Sequence, residues 1–248
     1  MVVLKKDEEI KIMREAGRKL SEVMEVLINS AKEGVKTKEL EEIAYDEIRK
    51  RDCMEAFQTQ GFPSCICTSV NEEIVHGIPG EYVLKEGDIL SIDAGLIYKG
   101  FFSDMAVTIG IGNISKVKRR LIEITEKALY DGIKSFKDGN TIGDIGFSIE
   151  NTVRKNNFKV IKLFVGHGIG RRLQEPPEVP NYGTPKKGVK IRKGMVLAIE
   201  PMVSSGTDKI RIKKDGWTAV TADGSPSAHF EHTVALTDNG TEILTRRN

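Results

Sequence analysis

Residues 87–110 read GDILSIDAGLIYKGFFSDMAVTIG: two apolar runs about a Lys99-Gly100 pair, the pattern of a β-hairpin. Each run carries an aspartate, Asp93 and Asp104, among residues suited to burial. An ionised carboxylate taken out of water without a partner is costly, so both acids require company. With a two-residue turn, Asp93 falls opposite Ala106, and Asp104 becomes its diagonal neighbour on the same face. The hairpin therefore delivers two converging acids.

Outside the hairpin, helical periodicity recurs four times. The apolar faces are Ile10, Met13, Leu20, Met24 and Leu27; Leu40, Ile43, Ala44 and Ile48; Val117, Leu121, Ile124 and Ala128; and Ile142, Ile145, Ile149 and Val153. Thr37, Ser115 and Thr141 stand where N-caps are expected, and Gly34 and Gly139 punctuate the turn within each helix pair. The pairs also resemble each other, KEGVKTKEL (32–40) matching KDGNTIGDI (137–145). Three further matches keep the same order: VHGIPG (75–80) with GHGIGR (166–171), EGDILSID (86–93) with KGMVLAIE (193–200), and FSDMAV (102–107) with FEHTVA (230–235). They set His76 against His167, Asp93 against Glu200, and Asp104 against Glu231. Two related halves, about 7–110 and 114–240, follow within one domain spanning 1–248. Each half reads helix, helix, strands, so the expected class is α+β, with a curved, mainly antiparallel sheet covered by helices on one face.

Pseudo-symmetry brings Glu200 and Glu231 to the join between the halves, beside Asp93 and Asp104. Four ionised carboxylates this close repel by roughly 4 kcal/mol per pair, at about 4 Å and an effective dielectric of about 20. They must take up protons or bind cations. Two divalent ions cancel the four charges, with the neutral imidazole of His167 as a fifth ligand. Oxygen-rich ligation with one histidine suits manganese, ferrous iron or cobalt, with zinc admissible. Such a pair shares a bridging water, lowers its pKa and polarises a carbonyl or phosphoryl oxygen, so hydrolysis is the reaction class. His229, two residues before Glu231 on the same face, reads as support for a ligand rather than a ligand. His232 points the other way and reads as structural.

The other features exclude more than they assign. Thirty-eight basic and 36 acidic residues leave a net charge of +2 over 248 residues, too little to select nucleic acid or a membrane surface. The N-terminus becomes charged after four residues, and no apolar run approaches a membrane span, so a cytoplasmic protein is expected. Cys53, Cys65 and Cys67 are odd in number and read as reduced thiols. There is no phosphate loop, dinucleotide fingerprint or nucleophile elbow.

The motifs VNEEIVHGIPG, SIDAG, GFFSDMAVT, GHGIGR, AIEPMV, KDGWTAVT and HFEHT together resemble type I methionine aminopeptidases, from about residue 7 to 245. The resemblance implies the pita-bread fold, shared with creatinase and prolidase. It implies Asp93, Asp104, His167, Glu200 and Glu231 as ligands of two divalent ions, with Asp104 and Glu231 bridging. Glu200 would take a proton from the nucleophilic water, and His76 would hydrogen-bond the scissile amide. The pocket for the methionine side chain falls on Phe62, Cys67 and Trp217, with Leu173 at its edge. The implied activity is removal of the N-terminal methionine from nascent proteins, with a small second residue preferred. A monomer in transient contact with the ribosome, without direct nucleic-acid readout, is the expected setting.

One position departs from the family. Seven residues after His167, where a second histidine is usual, this chain has Gln174. Glutamine hydrogen-bonds a substrate amide or carbonyl but cannot become a cation or give up a titrating proton. A slower or substrate-shifted enzyme is expected. The competing reading, a catalytically silent binding protein, rests on Gln174 alone.

Overall fold

The computed structural model describes residues 2–247. The four periodic segments form four helices: α1 (Asp7–Ser30), α2 (Thr37–Lys50), α3 (Lys116–Ser135) and α4 (Ile142–Lys155). Asp7, Glu8 and Glu9 in the first turn of α1 complement the positive end of its dipole. Its apolar stripe, including Met13, Leu20, Met24 and Leu27, is fully buried, each side chain contributing on the order of 2 kcal/mol. The close approach of α1 to the C-terminal segment depends on Gly17, where a Cβ would lie 2.2 Å from the Leu244 carbonyl oxygen.

Ser115 and Thr141 cap as expected. Ser115 Oγ accepts from the Lys118 N–H, and the Thr141 N–H donates to Asp144 Oδ2. Thr37 does not. It is the first helical residue, Lys36 is the extended residue before it, and the Thr37 hydroxyl donates to the Gly80 carbonyl instead. A tertiary acceptor thus displaced the local cap. Gly34 and Gly139 both adopt the left-handed conformation expected of a turn (φ +88° and +82°).

The hairpin forms as read. Strands Ile89–Tyr98 and Phe101–Gly110 flank Lys99 and Gly100, both at positive φ as a primed two-residue turn requires. Asp93 pairs with Ala106 and Gly95 with Asp104. The hairpin lies in a nine-stranded, wholly antiparallel sheet ordered Met54–Glu55, Ile89–Tyr98, Phe101–Gly110, Glu231–Thr237, Val196–Ile199, Gly166–Gly168, Glu175–Val179. Ile66–Val70 also pairs with Ile89–Tyr98, and Gly240–Ile243 with Glu231–Thr237. Strands of the two repeats meet where Phe101–Gly110 pairs with Glu231–Thr237, Glu231 facing Ala106.

Two further three-stranded sheets were not legible in the sequence. One places Met202–Ser204 between Ser227–His229 and Lys159–Val160; the other places Ala219–Thr221 between Ile210–Ile212 and Glu73–Val75. Strands of two or three residues leave no periodic signal. They nevertheless carry His229, and they hold the segments on which His76 and Trp217 sit.

Candidate metal centre and substrate cavity

The four acids come from four points of the large sheet. Asp93 and Asp104 lie on the hairpin, Glu231 begins the neighbouring strand, and Glu200 follows Val196–Ile199. Their backbones are fixed before any ligand arrives. The Asp104 N–H donates to Thr233 Oγ1 (3.1 Å), and that hydroxyl donates back to the Asp104 carbonyl (2.8 Å). Asn181 donates from Nδ2 to the Glu200 carbonyl (3.0 Å).

His167 reaches the cluster because glycines flank it. A Cβ at Gly166 would stand 2.3 Å from the Ala198 carbonyl oxygen, and one at Gly168 2.5 Å from that of Pro176. The His167 Nδ1–H donates to the Gly168 carbonyl (3.0 Å), which leaves the Nε2 lone pair free to face the acids. Nε2 lies 3.4 Å from Glu200 Oε1 and 4.0 Å from Asp104 Oδ2.

The electrostatics are those of a site built for cations. Burial, then Asp104, raises the Asp93 pKa well above the carboxylate range; burial, then Asp104 and Asp93, does so for Glu200; burial, then Asp104, Glu200 and Asp93, for Glu231. Burial lifts Asp104 to about 7. Asp93 Oδ1, Glu231 Oε1 and His229 Nε2 are enclosed and have no hydrogen-bond partner. Donor atoms of Asp104, His167 and Glu231 lie within 4.8 Å of one another, as do those of Glu200, His229 and Glu231. Hard oxygen donors with imidazole, and orphaned lone pairs aimed at one space, fit divalent ions.

Above the cluster opens a cavity of about 350 Å³. The expected ligands and substrate contacts all line it, namely Phe62, Cys67, His76, Asp93, Asp104, His167, Leu173, Gln174, Glu200, Trp217 and Glu231, and so does His229. Phe62 meets Trp217 edge-on at 5.3 Å, with Trp217 at the mouth, 36% exposed. Cys67 pairs with Asp93 across the sheet, and burial, then Asp93 and Asp104, pushes its thiol pKa well up, which disfavours the thiolate. His76 holds φ +59°, a costly conformation for a non-glycine residue, and stacks edge-on against Phe164 at 5.4 Å. Burial lowers its pKa, leaving it neutral.

His232 is buried away from the cavity, Nδ1 hydrogen-bonded to Thr245 Oγ1 at 2.9 Å, as its orientation in the strand predicted. Phe57, Phe164 and Met202 also line the cavity and were missed. Phe164 and Met202 stand within three residues of His167 and Glu200, and that proximity was the only available signal. The cysteines are all free, as read.

The profile of metallopeptidase family M24 matches residues 11–238. The methionine aminopeptidase of Clostridium perfringens is 48% identical over 246 residues, covering 99% of each chain. Methionine aminopeptidase 1 of Bacillus subtilis is 47% identical, over 99% of this chain and 100% of its own. The chain belongs to metallopeptidase family M24, among the type I methionine aminopeptidases. The peptidase superposes on the crystal structure of the Thermotoga maritima methionine aminopeptidase with a TM-score of 0.97, at 43% identity over the whole of both chains. A prolidase from Pyrococcus furiosus shares the fold, with a TM-score of 0.79 at 21% identity, over 99% of this chain and 66% of its own. The pita-bread architecture expected from the resemblance is therefore present, and the protein is a metal-dependent peptidase.

Proposed function

We propose that this peptidase removes the N-terminal methionine from nascent polypeptides, using two divalent cations held by Asp93, Asp104, His167, Glu200 and Glu231. The observation that carries the reading is the convergence of four acids, Asp104 and Glu231 buried and Asp93 and Glu200 half-buried, with His167 beneath a wall of Phe62, Cys67, Leu173 and Trp217. When bound, the ions lower the pKa of water and polarise a carbonyl as Lewis acids.

The chain's own residues supply the rest. Glu200 takes the proton of the attacking water, the role of a carboxylate base set among the other acids at the floor of the cavity. Neutral His76 hydrogen-bonds the scissile amide and assists the departing nitrogen. A thioether side chain is matched by the aromatic and sulfur-bearing wall. Gln174, exposed at the cavity edge, hydrogen-bonds the substrate backbone without offering a charge. A small second residue is preferred, since Phe164 and His76, packed edge-on in the cavity lining, would limit the room for a larger one. Manganese, ferrous iron and cobalt are the favoured ions.

The joining of both halves through one site supports a single catalytic domain. No helix of the described residues is long and apolar enough to cross a membrane, which accords with action on nascent chains in the cytoplasm. Exposed Lys209, Arg211 and Lys214, close in sequence to Trp217 at the mouth, suit a transient contact with the ribosome by a monomer. A Met-Ala-Ser peptide assayed with added manganese or cobalt tests the reading: methionine release is expected, and its absence with every divalent ion would overturn it in favour of a silent binding protein.

A further inference from the structure

His229 was read from the sequence as support for a ligand, and its geometry is that of a ligand. It is 2% exposed, and its Nε2 is enclosed without any hydrogen-bond partner. A buried imidazole that merely supported Glu200 would donate to it. The separation from Nε2 to Glu200 Oε2 is 3.6 Å, too long for that bond. It is the right length for something else. Two donors each about 2.1 Å from one metal ion stand about 3.0 Å apart at right angles and about 3.6 Å apart at 120°. The His167 Nε2 to Glu200 Oε1 separation, 3.4 Å, falls in the same interval.

The two three-donor groups also share a plan. Asp104, His167 and Glu231 form one; Glu200, His229 and Glu231 form the other, with Glu231 common to both. Each group therefore offers one imidazole and two carboxylates. The position of His229 is also fixed independently of any ion. Its backbone N–H donates to Thr108 Oγ1 (2.9 Å), and that hydroxyl donates to its carbonyl (2.7 Å). Thr108 is bonded in turn to Ser91 Oγ at 2.8 Å on the hairpin that carries Asp93 and Asp104.

We infer that His229 is a sixth protein ligand, completing through Nε2 the coordination of the cation held by Glu200 and Glu231. This rests on the two-cation reading above. X-ray absorption on the protein loaded with two equivalents of cobalt counts imidazole ligands directly. Two imidazoles per pair of cobalt ions are expected. One per pair would overturn the assignment while leaving the two-cation site intact, and failure to bind two cobalt ions would sink both. Stepwise cobalt titration by calorimetry gives a second measure. His229→Gln is expected to weaken one binding step by about tenfold to a hundredfold and leave the other nearly unchanged. Unchanged affinity at both steps, in a variant whose cation-free thermal unfolding matches the parent, would also overturn it.

Discussion

Lys5 lies outside the cavity, yet it is expected to govern one of its walls. Its ammonium meets Glu175 Oε2 at 2.6 Å, with only 3% and 5% of the two side chains exposed. Glu175 follows Gln174 and also accepts from the Arg172 N–H (3.2 Å), while the Lys5 stem packs so closely on Gly170 that a Cβ there would approach Cε within 2.4 Å. The pair thus ties the N-terminal segment to the chain bearing Leu173 and Gln174. At 2.6 Å and an effective dielectric of about 20, attraction between unit charges is roughly 6 kcal/mol, part of which offsets the dehydration of both ions. Lys5→Met leaves the carboxylate buried without its counter-charge, at a cost of about 3–5 kcal/mol. For a chain of this size that lowers the melting temperature by roughly 10 °C. In Lys5→Met/Glu175→Gln the unpaired charge is gone, and most of the loss is recovered. Urea unfolding followed by circular dichroism measures all three proteins, and peptide hydrolysis is expected to show a raised KM with kcat less affected. A Lys5→Met loss below about 1 kcal/mol, or a double variant no more stable than the single, would refute the argument.

Further outcomes follow from the site itself. Burial raises Asp104 from 3.8 in the unfolded chain to about 7, so its contribution to cation-free stability is full below about pH 4 and is lost as pH rises through about 7. The stability gained on adding manganese is therefore expected to grow across that interval, read as the difference in melting temperature with and without the ion; a difference independent of pH would contradict it. Gly168→Ala forces a Cβ against the Pro176 carbonyl oxygen beside His167, and is expected to cost about 1–3 kcal/mol and weaken cation binding in a calorimetric titration. Gln174→His is expected to change kcat/KM on Met-Ala-Ser peptides several-fold, about 1 kcal/mol in the transition state, and to add a titration to the pH profile. Identical turnover, specificity and pH profile would remove that role from Gln174.

The site was readable because its residues lie in elements that are locally determined. Alternation about Lys99-Gly100 fixes the register, and the register alone places Asp93 and Asp104 on one face. The internal repeat extended that pairing to Glu200 and Glu231. Reading failed where local signals were weak or were overruled. Strands such as Ser227–His229 and Glu73–Val75 are too short to show a period. Thr37 has the side chain of a cap, but the Gly80 carbonyl captured its hydroxyl.

His229 marks the limit most clearly. Its face was legible two residues before Glu231, but the separation of its Nε2 from Glu200 depends on how a three-residue strand packs against the hairpin through Thr108. The Lys5 and Glu175 pair spans 170 positions, and no pattern along the chain announces it. Local periodicity and repetition determined the helices, the hairpin, the repeat and the identity of the acids, because these depend on backbone preferences and on which face a side chain takes. Distances between donors, the enclosure that raises the carboxylate pKa values, and the wall of Phe57, Phe164 and Met202 were decided only when strands remote in sequence packed together, since burial and dielectric belong to the assembled interior.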